Sequence, residues 1–154
     1  MIIVVTGGRG VTGRVTNEVQ VFHHLDRIHS STPITTLIEG GQRTYEKNTK
    51  KIIGGVDFWA YKWAYSRGVP VITEAAKWDD LSDPCVIAFR PNGSRYNKIA
   101  GPKRNALMME KHKPDLVVAF PGGSGTANAM SEANKRGIPV KEIPYDQCSG
   151  NRII

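Results

Sequence analysis

The chain of 154 residues holds only two cysteines, Cys85 and Cys148, and no C-x-x-C pair. That excludes a disulfide framework and a cysteine zinc site; two reduced thiols in a cytoplasmic protein are expected. Long apolar runs are missing as well. Stretches such as Leu116-Val117-Val118-Ala119-Phe120 fall far short of the ~20 residues that a membrane span needs, so no membrane partner is expected. No basic segment leads an apolar one at the amino end, which speaks against a signal peptide. His23 and His24 are adjacent and point to different faces of one helix, and nothing else has ligand spacing, so no metal is expected. No cofactor is assigned. No Ser-His-Asp or Cys-His arrangement, internal repeat or clear linker is present.

Glycine and positive charge are what the chain has in quantity. There are 16 glycines, and 21 lysines and arginines stand against 14 acidic residues, a net charge of +7. That balance favours phosphates, nucleotides or nucleic acid as partners, with a merely solvated basic surface as the plain alternative. A content of 40% hydrophobic and 23% charged residues suits one globular domain with a real core.

Along the chain, short β-branched runs alternate with helix-like segments. Strands are expected at 2–6, 34–38, 69–73, 115–120 and 138–142. Helices are expected from a cap at Thr12 or Thr16 to about 28, and over 56–67, 102–112 and 126–136. In the first helix Val15, Val19, Phe22 and Leu25 are spaced for one buried face. Residues 42–51 read as a mobile polar loop, 85–89 as a possible extra strand, and 143–154 as a tail that frays. The expected fold is a Rossmann-like, doubly wound α/β domain over 1–142, with about five mostly parallel strands and helices on both faces.

Two glycine loops follow strands. Pro121-Gly122-Gly123-Ser124-Gly125-Thr126 lies between an apolar strand and a helix start, the layout that sets backbone N–H groups around a phosphate. Gly8-Arg9-Gly10-Val11-Thr12-Gly13 matches G-x-G-x-x-G after the first strand, with Glu39 ending the second. That match is weak alone: Glu39 lies somewhat far along the chain, and the second loop is no part of the dinucleotide pattern.

Several blocks together carry a more specific signal: Val5-Thr6-Gly7-Gly8-Arg9, Leu37-Ile38-Glu39-Gly40-Gly41, Gly55-Val56-Asp57-Phe58-Trp59-Ala60, Ala75-Ala76-Lys77-Trp78, Ala100-Gly101-Pro102-Lys103-Arg104-Asn105 and the 121–126 loop. In this order they resemble the SLOG superfamily, most of all its YspA-like (cpYpsA-related) group, over nearly the whole chain to Val140. Similarity to the lonely-guy phosphoribohydrolases and to DprA is more distant. The resemblance implies a Rossmann-like fold that binds nucleotides or nucleotide-derived signals, and it suggests a homo-oligomer. The phosphoribohydrolase block ends in a catalytic glutamate where this chain has Ala129; Glu132 is the nearest carboxylate. Segments 42–53 and 80–99 are longer than in the YspA-like group.

The expected ligand site follows. Pro121, Gly122, Gly123, Ser124, Gly125 and Thr126 would hold phosphate. Gly7, Gly8 and Arg9 would form the opposite wall, with Arg9 clamping phosphate or standing in solvent. A ribose or base would lie near Glu39, Asp57 and Asn105, with Glu39 and Asp57 as the two candidate hydroxyl acceptors and Gly40 and Gly41 beside them; Arg104 would pair with an anion, and salt-bridge and capping roles are the alternatives for Arg104 and Asn105. The lead expectation is a sensor or sequestering protein for a nucleotide or ADP-ribose-like ligand. A nucleoside 5′-monophosphate phosphoribohydrolase using Glu39 or Glu132 is the second reading, and a DprA-like DNA-binding module the third. Trp78 is a candidate for base stacking, while Trp59 and Trp63, one helical turn apart, read as core.

Overall fold

The computed structural model describes residues 1–9 and 16–145. In chain order the elements are β1 (Ile2–Thr6), α1 (Glu18–Ser31), β2 (Thr36–Glu39), β3 (Thr44–Tyr45), β4 (Ile52–Gly54), α2 (Val56–Ser66), β5 (Val71–Thr73), β6 (Ile87–Phe89), β7 (Arg95–Asn97), α3 (Ala100–His112), β8 (Leu116–Ala119), α4 (Ser124–Lys135) and β9 (Val140–Glu142). Five of the strands form one sheet in the order β5-β2-β1-β8-β9, and every pairing in it is parallel. This is the expected Rossmann-like α/β fold.

The sheet is buried on both faces because its strands are apolar at successive positions. Ile3, Val5, Leu37, Val118 and Phe120 pack with Val21, Leu25, Trp59 and Trp63 of α1 and α2. Val4, Ile38 and Val117 pack on the other side with Met108, Met109, Ala129 and Ala133 of α3 and α4. Strand order reverses between β1 and β8, because β2 and β5 lie to one side of β1 while β8 and β9 lie to the other. In such sheets the crevice beyond the carboxyl ends of the strands at this reversal is where ligands bind.

Four local expectations change. Helix α1 is capped by Asn17, whose side chain accepts from Gln20 N at 2.9 Å; Thr12 lies outside the described residues, as do Gly10, Val11, Gly13 and Val15. Its buried face is Gln20, Val21, His24, Leu25 and Ile28, and Val19 is 60% exposed. The apolar positions alone pointed one residue away, because the polar Gln20 and His24 are inside. The expected 42–51 loop contains β3, which pairs with β4 in a hairpin, while the extra strand expected at 85–89 is present as β6 and pairs with β7 in a second hairpin. Finally, Ile143 belongs to the core, 3% exposed, and its N–H donates to Ala119 O at 2.8 Å. The chain extends β9 past the point where the sequence pattern fades.

Candidate functional site

The two glycine loops meet at the strand-order reversal. Gly8 N–H donates to Pro121 O at 2.9 Å, and Val56 N–H at the start of α2 donates to Gly8 O at 3.0 Å. Here glycine is set by close approach rather than by backbone angle. A Cβ on Gly122 would stand 2.2 Å from Thr126 Oγ1 and 2.9 Å from Gly8 N, and one on Gly7 would meet Val56 at 2.6 Å. Gly123 and Gly125 are different: nothing lies within 4 Å of a Cβ built there, so both face open space.

Helix α4 begins at this point with Gly123 as its N-cap, no capping side chain and no acidic residue in its first turn. The N–H groups of a first turn have no intrahelical acceptor, and with the helix dipole they favour an anion. A cleft of about 550 Å³ runs beside them, lined by Pro121, Gly122, Gly123, Thr126, Met130 and Tyr145. Ser124 is exposed, whereas Thr126 is buried with its hydroxyl against Gly122. Arg9 is exposed. Its carbonyl accepts from Thr44 Oγ1 at 3.0 Å, and its guanidinium has no hydrogen bond among the described residues.

On the β2 side the strand ends bring two carboxylates and two guanidinium groups together. Glu39 is fully buried and both its oxygens are engaged. Oε1 accepts from Gly41 N at 2.7 Å and Arg43 Nη1 at 2.9 Å; Oε2 accepts from Arg43 Nη2 at 3.2 Å and from Thr73 Oγ1. This carboxylate is spent on tying β2 to β5 and folding back the start of the first hairpin. Arg43 was hidden in the expected mobile loop. The sole sequence signal for it was its place four residues after Glu39, and only the turn at Gly40-Gly41 makes that spacing a contact.

Asp57, in the first turn of α2, is 7% exposed. Its Oδ2 accepts from Gln42 N at 3.1 Å. Oδ1 has no hydrogen bond among the described residues. The sole sealed, unpartnered side-chain polar atom among them is His112 Nε2, so Asp57 Oδ1 keeps a trace of solvent contact although the residue is buried. Burial, then the negative charge of Glu39, pushes the Asp57 carboxyl up to about 7, against the pull of the Gln42 N–H, Arg104 and Arg43. A carboxyl pushed this far from its usual range beside a second carboxylate and two guanidinium groups marks a candidate functional position. The folded value of about 7 lies above the ordinary 3.8, so this group's stabilisation is full below about pH 4 and lost by about pH 7, on the order of 4 kcal/mol. Asp57→Asn is therefore expected to flatten the fall in melting temperature between these pH values and to melt higher than the wild type at pH 8. Parallel melting curves for the two proteins would contradict the assignment.

Arg104 reaches across from α3. Its Nη1 donates to Gly40 O and, at 3.4 Å, to Glu74 O, and its Nε donates to Asn105 Oδ1 at 2.8 Å. A Cβ on Gly40 would stand 2.6 Å from Arg104 Nη1 and 3.0 Å from Asp57 Oδ2, so only glycine fits between the two charges. Asn105 donates to Gly125 O at 3.2 Å and to Asn128 Oδ1 at 3.0 Å. It therefore ties α3 to the 121–126 loop and the first turn of α4. Arg104 and Asn105 join the two halves of the site mainly as positioning groups.

Glu132 stands apart. It lies eight residues beyond Ser124, roughly 12 Å along the helix, and is held by Arg136 Nη1 at 2.6 Å and Lys135 Nζ at 3.2 Å. Ala129 is 0% exposed. Trp78 lies against α3, 3.3 Å from where a Gly101 Cβ would be, and edge-on to Tyr96. Trp59 and Trp63 are core, as expected. Among the described residues no group of His, Cys, Asp and Glu could hold a metal ion, and no helix is long and apolar enough to cross a membrane.

No family model matches the chain, and no curated protein matches it. Among solved structures it is similar to UDP-GlcNAc 2-epimerase from Neisseria meningitidis bound to UDP-GlcNAc, with a TM-score of 0.47 and 15% identity over 93% of this chain and 32% of that one. It is also similar to UDP-N-acetylglucosamine 2-epimerase from Rickettsia bellii, with a TM-score of 0.42 and 16% identity over 92% of this chain and 30% of that one. The chain spans about a third of the length of these epimerases.

Proposed function

We propose that this protein is a SLOG-superfamily member of the YspA-like kind that binds a nucleotide or a nucleotide-derived, ADP-ribose-like ligand without turning it over, as a sensor or sequestering protein. The observation that carries this reading is the pair of glycine loops tied together at the strand-order reversal, beside the uncapped start of α4. The ligand's phosphates lie on residues 122–125 with Arg9 opposite, and its ribose lies toward Asp57. The two glutamates that could have served as acid–base groups are engaged elsewhere, Glu39 by Arg43 and Thr73 and Glu132 by Arg136. A cytoplasmic, homo-oligomeric protein is part of the same proposal.

Melting curves with nucleoside mono-, di- and triphosphates, NAD, ADP-ribose and cyclic nucleotides, followed by chromatography of each mixture, test it. A ligand that prefers the folded state raises the melting temperature by mass action. The expected result is a rise with at least one of these, the ligand being recovered intact. No shift with any member of the panel would overturn the reading. Recovery of free base and ribose phosphate would favour N-glycosidic hydrolysis instead. One observation supports that second reading: the carboxyl of Asp57, held up to about 7, can carry a proton at neutral pH.

A further inference from the structure

In a parallel sheet of this order, an acidic residue at the end of the second strand is the ordinary acceptor for ribose hydroxyls. Here that residue is Glu39, and it is unavailable. Both oxygens are occupied, by Gly41 N–H and Arg43 on one side and by Arg43 and Thr73 on the other, and the residue is 0% exposed. A fifth hydrogen bond would require breaking one of these four.

Asp57 stands next to it with the opposite character. One oxygen is fixed by Gln42 N–H, which holds the carboxyl in place. The other has no hydrogen bond among the described residues and is not fully sealed from solvent. Asp57 follows Val56, whose N–H is bonded to Gly8 O, and Gly8 N–H is bonded to Pro121 O. The unbonded oxygen therefore sits a short backbone path from the phosphate loop.

We propose that Asp57 Oδ1 reads the hydroxyl pair of a ribose laid across the ends of β1 and β2, so that the site selects an unsubstituted ribonucleotide over one that lacks the 2′-hydroxyl or carries a 2′-phosphate. This rests on the nucleotide reading above. A hydroxyl donates to an ionised carboxylate, a charge-assisted bond; a deoxyribose leaves that oxygen unpaired, and a 2′-phosphate sets negative charge against it. The charged groups facing Asp57 are Glu39 on β2, Arg43 after β2 and Arg104 on α3. The two carboxylates and two guanidinium groups balance while Asp57 is ionised, and an added 2′-phosphate makes the cluster net negative. Once Asp57 is protonated it donates to that phosphate, so rejection of the 2′-phosphate relaxes as pH falls.

The test is equilibrium titration of the full chain with 5′-AMP, 2′-deoxy-5′-AMP and adenosine 2′,5′-bisphosphate at pH 8 and pH 6, for the wild type and Asp57→Asn. At pH 8 the wild type should bind 5′-AMP about tenfold or more tighter than either analogue. Asp57→Asn at pH 8, and the wild type at pH 6, should both lose most of the discrimination against the bisphosphate. The wild-type pH comparison needs no substitution, so it stands even where the variant folds poorly. Binding of all three ligands with equal affinity would overturn the role of Asp57 while leaving the nucleotide reading intact. Binding of none of the three would overturn the selection proposed here, whereas only the failure of every member of the wider panel would overturn the nucleotide reading.

Discussion

Replacing Ala129 with glutamate is expected to unfold the protein rather than to create a hydrolase. Under the proposed SLOG membership this position takes the place of the phosphoribohydrolases' catalytic glutamate, so a simple repair of the motif is the obvious experiment. Ala129 is 0% exposed and packs with Val4, Met108, Val117 and Ala133 between α4 and the sheet. A glutamate there buries either an unpaired charge, at several kcal/mol, or a protonated side chain that overfills the space, at about 1–3 kcal/mol. Against a total stability of about 5–15 kcal/mol, the expected loss in melting temperature is about 10 °C or more, read by circular dichroism. A variant that melts like the wild type and releases free base from 5′-AMP would show that this helix turns its 129 position toward the ligand and would overturn the assignment of faces.

Gly125→Asp should do the reverse, leaving the fold intact and removing the function. Gly125 is the second residue of α4, and nothing lies within 4 Å of a Cβ placed there. Aspartate near a helix N-terminus gains about 0.3–1 kcal/mol from the dipole, and replacing a helical glycine also lowers the entropy cost of folding. The backbone bond from Asn105 Nδ2 to Gly125 O does not depend on the side chain. The melting temperature should therefore hold or rise. The new carboxylate occupies the open side of the first turn, where a ligand phosphate would take those N–H groups. Like charges a few ångströms apart near a protein surface repel by about 4 kcal/mol, so affinity for any phosphorylated ligand should fall about a hundredfold or more. Unchanged affinity, measured by calorimetry, would place the phosphate elsewhere.

The parts of this account that were legible in the sequence are those written locally. Alternating apolar runs and helix periods gave the parallel sheet, and glycines directly after β1 and β8 marked the edge where the loops meet. Gly122 was readable as a required glycine; its reason, the hydroxyl of Thr126 and the amide of Gly8 pressed against it, was not. The β2 side was less legible because it is built by contacts distant in sequence. Thr73 reaches Glu39 from β5, and Arg104 reaches Gly40 from α3. A glutamate beside a glycine pair looks the same in a sequence whether it is free to act or held by four hydrogen bonds. Glu39 and Asp57 were equal candidates as ribose acceptors for that reason, and their partners separate them. The phase of α1 was misread because Gln20 and His24 are buried where apolar Val19 is exposed, and Ile143 was lost because one isolated isoleucine has no period.

The central claim is that the phosphate-bearing ligand sits on the loops at the β1–β8 reversal. A second concavity, of about 400 Å³, lies between α3 and the 75–80 segment, lined by Ala75, Lys77, Lys103 and Leu107, and offers a real alternative. Amide chemical shifts followed by NMR during titration with 5′-AMP and with ADP-ribose decide between them. The account predicts that the largest shifts fall on Gly8, Arg9 and residues 122–126, with Gln42 and Asp57 moving next. Shifts confined to 75–80 and 100–107, with the glycine loops unmoved, would contradict it.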